Sequence, residues 1–189
     1  MAGKLIVIDG PDGTGKATQV ALLVKRLRKE RVSVSVVDFP RYGKRSAGLI
    51  EEYLNGKFGS ADAVSPYQAS IFYAVDRFAA RHTIRKWLAS NRVVIANRYV
   101  SANMAHQGGK IQGVRERKRF LEWVSNVEFG IFELPQPDAT IIFRVPIHIA
   151  QTLINRKAPR SYLKGKRNIH EKDLHHLQAA EDAYREIAK

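Results

Sequence analysis

The segment Gly10-Pro11-Asp12-Gly13-Thr14-Gly15-Lys16-Ala17-Thr18 follows the apolar run Leu5-Ile6-Val7-Ile8 and precedes a helix-like stretch from Gln19 onward. Strand, glycine turn and helix start, in that order, gather backbone N–H groups into a concavity suited to an anion. Gly13 and Gly15 allow conformations closed to other residues. The helix adds its positive N-terminal end. Lys16 supplies an ammonium for the β- and γ-phosphates of a nucleoside triphosphate. The pattern G-x-x-x-x-G-K is complete up to Lys16 and then breaks, because Ala17 stands where Ser or Thr would offer a hydroxyl to magnesium. Thr18, about 100° further round the helix, is a poor substitute. Residues 10–18 are expected to bind ATP.

Short apolar runs alternate with helical stretches along the rest of the chain. Residues 5–9, 32–38, 93–97 and 140–145 read as buried strands. Residues 16–29, 47–54, 66–88, 114–127, 147–156 and 169–188 read as helices. Ser65-Pro66 is a helix start with Ser as cap and Pro in the first turn. Asn168 with Glu171 resembles a capping box. Residues 107–112 and 158–167, rich in glycine or basic side chains, read as mobile loops. The alternation predicts an α/β fold, a parallel sheet flanked by helices in three layers, with ligands at the carboxyl ends of the strands. A length of 189 residues suits a single domain.

Composition narrows the function classes. There is no cysteine, which excludes disulfides and thiol chemistry. No apolar stretch has the length of a membrane span, and Met1 to Lys4 leave no room for a signal peptide. A cytoplasmic protein is expected. The net charge of +14 is spread along the chain without a long basic tail. That spread favours anionic small substrates over nucleic acid.

Four segments together resemble the thymidylate kinase family, and the resemblance runs from Lys4 to about Ala188. The first is the phosphate loop, in which Asp12 matches a family carboxylate close to the acceptor nucleotide and its 3′-hydroxyl. The second is Asp38-Phe39-Pro40-Arg41-Tyr42-Gly43: the resemblance gives Phe39 a wall of the nucleoside site and Arg41 a phosphate contact through its planar fork. The third is residues 71–77, with Tyr73 and Arg77 four apart on one helical face. There the family stacks an aromatic on thymine and bonds a base oxygen with Arg. The spacing selects Tyr73 and leaves Phe72 to the core. The fourth is residues 97–109. Here the resemblance implies that Arg98 grips the acceptor phosphate, that Asn103 and Gln107 read base or sugar, and that His106 stands where deoxyribose is told from ribose. Leu134-Pro135-Gln136-Pro137-Asp138 resembles the family too, and reads as a structural kink into the last strand.

Residues 156–168 fall where the family carries a short basic lid over the triphosphate. Gly13 occupies a loop position that in some members is Arg, and members with Gly there supply the cation from the lid. Arg156 and Arg160 are the catalytic candidates, alongside Lys16, Asp12 and Arg98. Such a side chain is worth about 10³-fold or more in rate. The resemblance implies Mg2+ bound with ATP, and a homodimer. Ala17 and Asn97, which replaces a family Asp, both weaken direct metal ligation. Asp9, Asp12 and Glu171 remain as outer-shell candidates, since magnesium keeps much of its water. The family usually adds a strand and helix beyond the position of Lys189, so thin adenine contacts are expected. The implied reaction is transfer of the γ-phosphoryl of ATP to dTMP. A kinase of another (deoxy)nucleoside monophosphate and a catalytically weak nucleotide-binding protein are the alternatives.

Overall fold

The computed structural model describes residues 3–60, 63–155 and 174–188. Among them four strands form one parallel sheet in the order β2-β3-β1-β4: β1 Lys4–Asp9, β2 Val34–Asp38, β3 Val93–Asn97 and β4 Ala139–Ile142. The helices are α1 Lys16–Lys29, α2 Gly48–Leu54, α3 Pro66–Ala89, α4 Val100–Gly108, α5 Val114–Ser125, α6 Ile147–Asn155 and α7 Leu174–Ile187. A 3-10 turn, Arg45–Ala47, precedes α2, and a π turn, Asn126–Ile131, follows α5.

Strand alternation explains the layers. Leu5, Val7, Val37, Val94 and Ala96 pack with Ala80 and Ile84 of α3, Val100 of α4 and Phe120 and Val124 of α5. Their neighbours Ile6, Ile8, Val34, Val36, Val93 and Ile95 turn the other way, onto Val20, Val24 and Leu27 of α1. A sheet covered on both faces needs strands that are apolar throughout, which is why these runs stood out as continuous. Asp138, just before β4, accepts from Lys4 Nζ at 2.7 Å and from the Leu5 amide at 2.8 Å. Those bonds hold its carboxyl below the usual range. The Pro-rich approach to β4 thus ties two strand starts together.

The structure differs from the sequence reading in several elements. Strand β2 starts at Val34, because the Val32 amide closes the end of α1 on Leu27 and Arg31 turns to φ 62. Strand β4 ends at Ile142. Helix α4 is an element the sequence reading does not contain, and the segment 107–112, expected as a mobile loop, is helical through Gly108, with Gln107 and Ile111 buried. The helix was hidden because Asn103 and Gln107, two of its buried positions, carry amides rather than apolar side chains. The start of α3 is as expected: Ser65 Oγ accepts from the Gln68 amide, and Gln68 Oε1 accepts from the Ser65 amide. Arg156, Arg160, the whole of residues 156–168, and Glu171 with its capping box lie outside the described residues.

Candidate nucleotide-transfer site

The carboxyl ends of β1, β2 and β3 open into a cavity of about 340 Å³. One wall is the phosphate loop, Asp12 to Ala17. Gly13 has φ 82, and a Cβ there would meet the Ala150 carbonyl of α6 at 2.3 Å. Close backbone packing, as well as the turn, therefore demands glycine at this position. Gly15 has φ 81 and stands at the N-terminus of α1, where no side chain caps the helix. The first-turn amides thus remain available to an anion. Lys16 is buried, and its ammonium donates to the carbonyls of Gly10 at 2.7 Å and Pro11 at 2.6 Å. The loop wraps its own cation and fixes the charge in the concavity. Ala17 lines the cavity. Thr18 is exposed on the helix and is not among the lining residues.

Arg98 faces the loop from just past β3. Its φ is 67, a left-handed conformation that few side chains adopt. The Arg98 amide donates to the Ile8 carbonyl at 2.9 Å, which pins this turn to β1. Nη2 donates to Asp12 Oδ1 at 2.8 Å, and Nη1 lies 2.7 Å from His106 Nε2. A guanidinium has no acceptor, so His106 Nε2 accepts. Burial opposes the Arg98 charge, but Asp12, with Tyr184, Asp9 and Tyr42 behind it, outweighs that effect and raises the pKa further.

Tyr73, Arg77, Asn103, His106 and Gln107 line the same cavity, with Phe39 and Pro40 joined by a cis peptide. Phe72 packs instead on Tyr53 and Phe58. Arg77 is 2% exposed and pairs with the buried Glu128. Asn103 Oδ1 and Gln107 Oε1 are buried oxygens with no hydrogen-bond partner.

Two expected site residues sit differently. The Arg41 guanidinium donates to Asp76 Oδ1 at 3.0 Å, to the Asp76 carbonyl and to Ser46 Oγ, while its amide donates to Asp76 Oδ2. Asp76 is 1% exposed, and Arg41 is not among the lining residues. Its fork holds the 38–43 segment onto α3. Asp9 is fully buried and accepts from the Gly10 amide, Ser101 Oγ and Tyr184 Oη, so both its oxygens are engaged below the loop. Conversely, Asp38 and Tyr42, which are not among the expected site residues, line the cavity. The position of Asp38 at a strand's carboxyl end was the available signal. Glu128 and Tyr184 gave none, since their partners are remote in sequence.

Burial and the nearby Asp9 carboxylate push the Tyr184 hydroxyl well up, so it stays a donor. Burial pushes Tyr99 up as well, and its hydroxyl donates to the Pro135 carbonyl. Above the ordinary tyrosine value of about 10 the unfolded chain loses these protons while the folded chain keeps them. Their stabilising contribution is therefore complete below pH ~10. It falls as pH rises toward the folded values, by up to about 1.4 kcal/mol per pH unit for each tyrosine. Urea midpoints measured from pH 9 to 11.5 should drop steeply, and Tyr99→Phe with Tyr184→Phe should flatten the drop. An identical slope in that double variant would refute the assignment.

A family model described as thymidylate kinase matches residues 8–189. A thymidylate kinase of Mycobacterium tuberculosis is 34% identical over 185 residues, 97% of this chain and 85% of that one. A probable thymidylate kinase of Pyrobaculum aerophilum is 29% identical over 95% of this chain and 84% of its own length. A solved thymidylate kinase structure from Candida albicans has a TM-score of 0.75 at 23% identity, covering 98% of this chain and 78% of that one. That last likeness concerns the fold: the parallel sheet with its phosphate loop is the P-loop NTPase arrangement. With a family model spanning nearly all of the sequence and a relative at 34% identity, this chain belongs to the thymidylate kinase family.

Proposed function

We propose that the cavity is where the γ-phosphoryl group of ATP passes to dTMP, giving dTDP and ADP. The observation that carries this reading is a convergence. Lys16 with the loop amides, Arg98 with Asp12, and the group Tyr73, Arg77 and Asn103 all line one cavity. Phosphoryl transfer needs little covalent chemistry from a protein, so positioning and charge stabilisation suffice. Lys16 and the start of α1 neutralise the donor phosphates. The planar fork of Arg98 takes the acceptor phosphate, and Asp12 orients that fork and meets the sugar. Tyr73 and Phe39 flank the base, and Arg77 donates to a base carbonyl. Asn103 Oδ1 accepts a base N–H, Gln107 offers a second acceptor, and His106 borders the sugar. Arg156 and Arg160 of the lid remain candidates for the triphosphate side.

Magnesium would accompany ATP. The donor set suits a water-rich shell rather than a cage: Asp38 carries an exposed carboxylate, and Asn97 Oδ1 is buried without a hydrogen-bond partner. Both are hard oxygen donors on the cavity wall, and Asn97 Nδ2 donates to Asp38 Oδ1 at 2.7 Å. These residues would hold the ion through water, and it would supply charge neutralisation at the phosphates. Among the described residues no cluster of three or more His, Asp or Glu side chains stands ready as a direct ligand set.

Coupled ADP production with dTMP, dUMP, dCMP and UMP tests the reading. The highest kcat/KM is expected with dTMP, and no turnover of dTMP at saturating ATP and magnesium would refute it. We also propose a homodimer. Ile71, Val75 and Phe78 form an exposed apolar stripe on α3, at 36%, 37% and 42% exposure. Light scattering on the purified protein should give twice the mass of the chain, and a monomer at micromolar concentration would exclude the dimer. Among the described residues no helix is long and apolar enough to cross a membrane.

A further inference from the structure

Glu128 lies on the π turn after α5, is 0% exposed, and touches two residues of the cavity wall. Its carboxylate accepts from Arg77 Nε, from Arg77 Nη2 at 2.6 Å and from Asn103 Nδ2 at 2.8 Å. The second contact of Asn103 Nδ2 is the Ser70 carbonyl at 3.2 Å. A carboxylate and a carbonyl are acceptors only, so the Asn103 amide has a single satisfactory orientation. Its NH2 faces Glu128 and Ser70, and Oδ1 faces away. That oxygen is buried and has no hydrogen-bond partner, as is Oε1 of Gln107 one turn further along α4. Nη1 is the guanidinium nitrogen of Arg77 not engaged by Glu128. One buried carboxylate thereby fixes the polarity of two neighbours, an acceptor from Asn103 and a donor from Arg77.

A pyrimidine with a protonated N3 beside a 4-carbonyl matches this pair. A 4-amino pyrimidine meets it with acceptor against acceptor at N3, and donor against donor at C4. Unpaired buried polar groups make such a mismatch costly, and sites built this way discriminate strongly. We propose that Glu128 is the positioning residue that sets the pyrimidine preference. It selects a 3-imino-4-oxo base over its 4-amino counterpart by holding Asn103 Oδ1 and Arg77 in fixed polarity. This rests on the reading of the cavity as the acceptor site.

The pair dTMP and 5-methyl-dCMP isolates the effect, because both carry the 5-methyl group and they differ only along the N3–C4 edge. For the unaltered protein kcat/KM should favour dTMP by about 10²-fold or more. In Glu128→Gln one acceptor is lost, and the pinning of Arg77 and Asn103 loosens. The ratio should fall to about tenfold or less, and kcat/KM for 5-methyl-dCMP should rise in absolute terms, which damage to the fold cannot produce. Glu128→Asp, which keeps the carboxylate, should recover part of the ratio. A Glu128→Gln enzyme slowed equally on both substrates would overturn the proposal. Should that variant not fold, the Arg77→Leu/Glu128→Leu pair removes both buried charges together. A collapsed ratio is expected there, and an unchanged one overturns the proposal. An unaltered enzyme that uses both nucleotides equally sinks the inference alone. One that turns over neither sinks the kinase reading, and the calorimetric affinities of the two nucleotides then decide the polarity claim by the same ratio.

Discussion

Lys16→Ala is expected to lower kcat by about 10³-fold, roughly 4 kcal/mol on the barrier. The ammonium is the only side-chain cation inside the loop between Gly10 and Lys16. Its carbonyl partners, Gly10 and Pro11, hold it in the concavity before any substrate arrives. A preorganised charge loses no reorganisation energy when negative charge shifts between donor and acceptor oxygens. The variant should fold, because alanine suits the first turn of α1. Single-turnover assays at saturating ATP and dTMP measure the effect, with circular dichroism as the folding control. A folded variant within tenfold of the parent would show that Lys16 is not part of the transfer machinery.

Arg98→Lys should reduce kcat/KM for dTMP by about 10²-fold, and Arg98→Ala by about 10³-fold, while the KM for ATP changes less than about threefold. Lysine keeps the charge but not the planar fork that reaches Asp12 and His106 together. Alanine also removes the Arg98 charge that balances the Asp12 carboxylate beside the incoming phosphate, which adds repulsion to the lost contact. The left-handed backbone at Arg98 argues that the position is held for its side chain, since such strain persists only where the surroundings enforce it. Initial-rate kinetics with each substrate varied in turn separate the two grips. Equal loss of ATP and dTMP affinity would mean that Arg98 supports the whole cavity instead of its acceptor end.

Much of the donor side could be read from contiguous residues. The loop, its strand and its helix are neighbours in sequence, and their chemistry follows from glycine at two turns and lysine at the helix start. The choice of Tyr73 over Phe72 was also local, because helical spacing to Arg77 decides it, and the structure sets Phe72 on Tyr53 and Tyr73 on the cavity. Arg41 shows the limit of this kind of reading. An Arg beside a Pro turn promises a phosphate contact, but Asp76, 35 residues away and buried, captures its fork. Helix α4 shows another, since polar side chains buried for use at a cavity erase the periodicity that would announce a helix.

A parallel sheet wrapped by helices and a cradle for a triphosphate are legible along the linear chain, because strand runs, glycine turns and helix starts are written in adjacent residues. Which side chains reach the cavity, and with what polarity, follows from how the helices pack. Glu128 meets Arg77 across 51 residues of chain, and Tyr184 meets Asp9 across 175. Such pairs are set by the crossing of α3, α4, α5 and α7 over one face of the sheet, and no local pattern records where two distant helices will bring a carboxylate and its donors together.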